Sequence, residues 1–273
     1  MIWNGGYLEI EQNNTMCLSI VFSWELQKAY QRAIYWRNLG YNVVAGGPAV
    51  DYQPEILQGV ATLGKGFNAL PYHNPDATFT TRGCIRHCKF CVVPTIEGDF
   101  RELPDYNPKP IVCDNNFLAS SRRHFDKVID SLKPLQGIDF NQGLDARLLA
   151  PYHAQRLAEL NLKCVRLAWD NTSLESVFRT AFTTLLSAGI PKSLIRVYVL
   201  MGFDDTPDDA LYRLTTVRDL GALPFPMRYQ EPKAIKRNSF IGEHWTGTEL
   251  RRFMEYWSHL IYLRPIPFEE YVL

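Results

Sequence analysis

Between residues 110 and 230, short apolar runs rich in β-branched residues alternate with segments whose apolar positions recur every three or four residues. That is the pattern of repeated βα units around a parallel sheet. The runs lack strict polar alternation, which fits strands buried on both faces. Strands are expected at 111–114, 137–141, 163–168, 194–201 and within 226–229. Of the intervening helices, the first presents Phe125, Val128, Ile129 and Leu132, and the second opens near Pro151 and carries Leu157 and Leu160. The third is expected to be capped by Thr172 or Ser173, to carry Leu174, Val177, Phe178, Ala181 and Leu185, and to end at Gly189. Thr206 should cap the fourth, with Pro207 and two acids in its first turn and Leu211, Leu214 and Val217 facing inward. A run at 77–81 adds a leading strand. The tally is six βα units, short of a complete eight-strand barrel.

The first 75 residues read as a separate block: a strand at 16–22, a helix at 23–39 closed by Gly40, a strand at 41–45, and a turn at Gly46, Gly47 and Pro48. After Glu231 come Trp245, Arg251, Arg252, Phe253, Tyr256, Trp257, Tyr262 and Arg264, then Pro265 and Pro267, which suggests a helix and an extended tail. The expected organisation is therefore an α/β fold in three parts, 1–75, 76–230 and 231–273.

Composition changes this picture little. The 273 residues are 46% hydrophobic, ample for a sizeable core, and 29 basic side chains balance 29 acidic ones. No global field draws the chain toward nucleic acid or an anionic membrane. No run of 18 apolar residues occurs, and Met1 to Gly6 lack a basic start followed by an apolar stretch, so a soluble, unexported, cytoplasmic protein is expected. Three of the six cysteines crowd into residues 84–91, while Cys17, Cys113 and Cys164 stand alone. In a reducing compartment such a triplet favours a metal site over cross-links, and Cys113 and Cys164 read as small buried hydrophobes.

The triplet is Cys84, Cys88 and Cys91, with three and then two residues between ligands, directly after the strand expected at 77–81. Three thiolates can satisfy three irons of a cubane and leave the fourth with an open position. The alternative from the residues alone is a zinc-stabilised binding module without catalysis, since His87 lies inside the loop and Cys₃His is a common structural set. Zinc motifs more often bring two separated pairs of ligands.

The loop resembles the Cys-x₃-Cys-x-aromatic-Cys motif of radical S-adenosylmethionine (SAM) enzymes, matched by Cys84, Cys88, Phe90 and Cys91. The resemblance implies a partial (β/α)₆ TIM-like barrel with a [4Fe-4S] cluster on the loop after its first strand. It also implies SAM as the second cofactor, cleaved reductively to a 5′-deoxyadenosyl radical that abstracts hydrogen from a substrate. Phe90 would lie against the adenine. An external one-electron donor such as a flavodoxin or ferredoxin is implied as a partner.

Polar residues at the carboxyl ends of the strands are the next candidates. Asp114 and Asn116 follow the second strand, where the family often binds the SAM amino group; the usual Gly-Gly-Glu is absent, and Asp114 takes that role or caps a turn. Gln142 and Arg147, with Asn141, Gly143 and Asp145, follow the third. Arg147 could pair the methionyl carboxylate or form a surface salt bridge within the next helix. Asp170 and Asn171 end the fourth strand, as ribose contacts or as helix caps. Gly202 ends the fifth, Val197 to Phe203, where the family packs an apolar strand on adenine and a glycine permits close approach. No residue is singled out as catalytic.

The N-terminal block resembles the second half of a Rossmann-like cobalamin-binding domain, but no Asp-x-His-x-x-Gly precedes Ser19, so cobalamin is not expected, or at most bound without a protein ligand. Methylthio transfer would need three further N-terminal cysteines and is not expected either. The C-terminal aromatic and basic residues could stack bases or pair phosphates, or could close the barrel mouth, and the substrate is left open, nucleic acid or peptide included.

Overall fold

The computed structural model describes residues 6–64 and 67–273. The first residues read above for a targeting signal, Met1 to Gly5, lie outside the described residues. The chain divides into two compact units, one holding 1–76, 92–96 and 230–240 and the other 77–91, 97–229 and 241–273. The block expected over 231–273 is thus split between them.

In the first unit β1 (Tyr7–Gln12) and β2 (Thr15–Ile20) form an antiparallel hairpin. Its two-residue turn, Asn13 and Asn14, has both residues at positive φ, the geometry that matches strand twist and that asparagine tolerates. The helix α1 (Leu26–Asn38) crosses from β2 to the parallel β3 (Asn42–Gly46), and α2 (Pro48–Tyr52) leads on toward the short β4 (Thr62–Leu63). α3 (Leu70–His73) ends the block. Leu18, Ile20, Leu26, Ala29, Ala33, Val43 and Leu57 make its core. Gly47 has a φ of 108°, and a Cβ there would stand 2.5 Å from the Ile20 carbonyl oxygen, so the turn after β3 admits only glycine.

The second unit opens with β5 (Ala77–Thr78) and then β6 (Thr81–Arg82). The cysteine loop and α4 (Val93–Glu97) follow in sequence, and β7 (Arg101–Glu102) returns antiparallel to β6. Next come β8 (Ile111–Val112), α5 (Arg122–Leu132), β9 (Ile138–Phe140), α6 (Pro151–Ala158), β10 (Leu162–Ala168), α7 (Glu175–Ser187), β11 (Ile195–Met201), α8 (Pro207–Asp219) and β12 (Leu223–Arg228). The main sheet is parallel throughout and runs β5-β8-β9-β10-β11-β12, in chain order. It is open, with β5 and β12 at its edges. The fold is therefore α/β.

The helical faces read from the sequence are the buried ones: Phe125, Val128, Ile129 and Leu132 on α5, Phe178, Ala181 and Leu185 on α7, Leu214 and Val217 on α8. Thr206 caps α8 in a reciprocal box with Asp209. Of the cap candidates before α7, Asn171 and not Thr172 or Ser173 fills the role: its Oδ1 accepts the Ser173 N–H at 2.8 Å and starts the turn. The C-terminal aromatics pack into the core: Trp245, Phe253, Tyr256 and Trp257 are all buried on or beside α9 (Gly247–Ser258). Among the described residues no helix is long and apolar enough to cross a membrane.

Across three adjacent strands, Arg166 of β10 donates to both carboxylate oxygens of Asp139 on β9, at 2.6 and 2.5 Å, and to the Tyr198 hydroxyl on β11 at 2.6 Å. Tyr198 donates onward to the Asn141 carbonyl at 2.9 Å. This paired, hydrogen-bonded layer holds a carboxylate and a guanidinium inside the unit without an orphaned charge.

Candidate functional site

The backbone entering the cysteine loop is pinned from two sides. Asp114 accepts the Thr80 N–H at 2.6 Å and the Thr80 hydroxyl, while His124 of α5 hydrogen-bonds the Thr80 carbonyl at 3.0 Å. Burial pushes the Asp114 carboxyl pKa up, and the donations from Thr80 and Thr81 oppose it. Gly83 follows at a φ of +74°, and a Cβ there would drive into the backbone of Asp99. Its N–H donates to Glu97, which also pairs with Arg82 at 2.9 Å. The loop is thus braced before its first thiol.

Cys84, Cys88 and Cys91 are all half-buried, and the Cys91 N–H closes a turn onto the Cys88 carbonyl at 2.9 Å. The Cys84 sulfur accepts from the Arg86 backbone N–H at 3.3 Å and from the Asn116 amide at 3.5 Å. Burial pushes the Cys88 thiol pKa up, while the Arg147 guanidinium beside it pulls the other way. Three soft sulfur donors on one loop, with N–H groups aimed at one of them, fit the donor chemistry of an iron–sulfur cluster. Among the described residues, however, no group of three or more His, Cys, Asp or Glu side chains converges as a ready-made metal site.

Asp145 ties this loop to the segment after β9. Its carboxylate accepts from Arg86 Nε at 3.0 Å, from Arg147 Nε and Nη2 at 2.6 and 3.1 Å, and from the Asn116 amide at 3.4 Å. Arg147 therefore pairs within its own loop, not with the next helix.

Beside the loop lies a cavity of about 310 Å³. Phe90 and Phe203, edge to face with ring centroids 6.0 Å apart, join Leu200 as its apolar lining. Cys88, Arg147, Asp170 and Asp204 are its polar and charged lining. The structure thus brings Cys88, Phe90, Arg147 and Asp170 together. Cys84 and Asn116 meet through their own hydrogen bond, and Asp114 holds the loop entrance.

Two candidates stand elsewhere. Gln142 is exposed and does not line the cavity. Gly202 does not line the cavity either; it has a φ of +80°, and a Cβ there would stand 2.7 Å from Leu250 of α9. A larger groove of about 470 Å³ between α6 and α7 is lined by Thr180 and Thr184, whose hydroxyls are engaged by carbonyls of their own helix, and it holds no comparable chemistry.

With Asn171 capping the turn, Asp170 is left facing the cavity. Burial pushes its carboxyl up to about 6, opposed by Arg213 and Arg147 and reinforced by Asp145. Because an unfolded Asp ionises near pH ~3.9, the folded state then favours the protonated form. The resulting stability cost is absent below about pH 4, grows as pH rises toward 6, and amounts to roughly 3 kcal/mol above that. Asp170→Asn is therefore expected to raise the melting temperature at pH 8 and to lose the advantage at pH 4. An equal difference at both pH values would refute this assignment.

Asp145 and Arg86 carry more of the site than the sequence indicated. Asp145-x-Arg147 was visible as a polar cluster, but the link to Arg86 spans 59 residues and depends on the fold. No protein-family model matches the chain, and a search of curated proteins finds no match.

Proposed function

We propose that the chain is a radical SAM enzyme. The six-stranded parallel sheet with its helices is then a partial (β/α)₆ barrel, and the cysteine loop follows its first strand. The carrying observation is a braced loop bearing three thiols, with N–H donors on one sulfur, next to a cavity that offers an aromatic ring, a guanidinium and a carboxyl. Cys84, Cys88 and Cys91 would ligate three irons, and the cavity would hold SAM. When bound, such a cluster supplies the electron that cleaves the sulfonium of SAM to a 5′-deoxyadenosyl radical.

The chain's own groups then have separable tasks. Phe90, with Leu200 and Phe203, gives an apolar face for a purine. Arg147 offers positive charge to a carboxylate, and Asp170 accepts from hydroxyls or an ammonium. Asp114 and His124 keep the loop entrance fixed through Thr80. The proposed setting is the cytoplasm, with an external one-electron donor and an unidentified substrate.

Anaerobic reconstitution with iron and sulfide tests the reading. A four-iron cluster and 5′-deoxyadenosine from SAM and dithionite are expected. One zinc without sulfide, or a cluster that yields no 5′-deoxyadenosine, would overturn it.

A further inference from the structure

We infer that Asp145 is a positioning residue that sets the hydrogen-bond donors around the cysteine sulfurs and, through them, the reduction potential of the site. This rests on the reading that these thiolates ligate an iron–sulfur cluster.

The Asp145 side chain is only 7% exposed and takes donors from Arg86, Arg147 and Asn116. Each of these groups also belongs to a cysteine. Arg86 gives its backbone N–H to the Cys84 sulfur, Asn116 gives its amide to the same atom, and Arg147 stands beside Cys88. One carboxylate therefore fixes three residues that act on two of the three ligands.

The orientation of Asn116 is determined by its neighbours. Turned over, the amide would set its oxygen against the Asp145 carboxylate and the Cys84 sulfur, both acceptors. Asn116 is 2% exposed, and its Oδ1 atom has no hydrogen-bond partner among the described residues. A buried amide that leaves its own oxygen unsatisfied in order to point its N–H groups at a sulfur and a carboxylate is poorly explained by packing alone.

The electrostatic consequence has a sign. An N–H donor on a ligating sulfur withdraws charge from it and stabilises the reduced, more negative cluster, which raises the potential. The two guanidiniums act in the same direction. Asp145 itself is an anion and opposes them, yet without it the side chains of Asn116, Arg86 and Arg147 lose their common anchor.

Asn116→Leu removes a donor without changing charge, so an anaerobic redox titration followed by EPR should show a lower potential at unchanged iron and sulfide content. In an Asp145→Asn background, where the Asn116 amide and two guanidiniums compete for a single neutral carbonyl acceptor and the amide is held less firmly, the same substitution should shift the potential less. Asn116→Ala, which adds no volume, repeats the comparison should the leucine variant misfold. An unchanged potential in both Asn116 variants with the cluster intact, or fully additive shifts with Asp145→Asn, would overturn the inference and leave the enzyme assignment standing. Failure of the unmodified protein to assemble a four-iron cluster would overturn that assignment first, and this inference with it.

Discussion

Replacing any one of Cys84, Cys88 and Cys91 by Ala should abolish formation of a complete four-iron cluster and reduce 5′-deoxyadenosine formation to the reagent blank. The other three cysteines are poorly placed to compensate. Cys17 on β2, Cys164 on β10 and Cys113 just after β8 are buried and lie outside the 84–91 loop. Ala at Cys17, Cys113 or Cys164 should leave cluster content unchanged and cost only the packing of a small side chain, on the order of 1 kcal/mol. Metal and sulfide analysis of all six variants separates the two groups. Retention of iron and sulfide in the Cys88→Ala protein would contradict the ligand set, and equal losses across all six would indicate a folding defect.

The parts of the fold legible in the sequence are those where one periodicity dominates. β10 and β11 are long and apolar, and their boundaries fall within a residue or so of the expected ones. β12 begins at Leu223 because Pro224 and Pro226, which conceal a strand in sequence, are tolerated where it forms a sheet edge and need not donate on its open side. β1 was not anticipated. Its Glu9 interrupts the apolar pattern, and only the fold shows that this carboxylate is satisfied by Arg32 at 2.6 and 2.7 Å and by the Trp36 indole at 2.9 Å.

The site divides in the same way. Cysteine spacing is local, so the loop could be read directly, and Phe90 came with it. The contacts of Asp114 with Thr80 and of Asp145 with Arg86 join residues 34 and 59 positions apart, which no local pattern encodes. At Gly202 the need for glycine was legible, while its packing against Leu250, 48 positions on, was not.

Arg213 supplies the largest stability effect expected outside the cysteine loop. It occupies an inward position of α8, spaced with Ala210, Leu214 and Val217 at helical intervals, and is fully buried. Its guanidinium donates to Asp205 at 2.5 Å, to the Trp169 carbonyl at 2.9 Å and to the Asp209 carbonyl at 3.2 Å. Asp205 in turn accepts the Gly202 N–H at 2.8 Å and the Trp245 indole at 3.2 Å, so the pair binds α8 to the end of β11 and to the residue before α9's cap. Arg213→Met keeps the volume but leaves Asp205 charged, buried and without its cation, and should cost ~3–5 kcal/mol. The melting temperature should fall by on the order of 10 °C. Burial already pushes the Asp205 carboxyl up, with Arg213 the main opposing influence, so its folded pKa should rise further in the variant. A carboxyl whose folded pKa is raised destabilises above that pKa and ceases to do so as pH falls through it, so the deficit should be smaller at pH 5 than at pH 8. Adding Asp205→Asn removes the stranded charge and should recover most of the loss. A deficit that neither shrinks in acid nor responds to the second substitution would mean that Arg213 acts through packing and not as the counter-ion of Asp205.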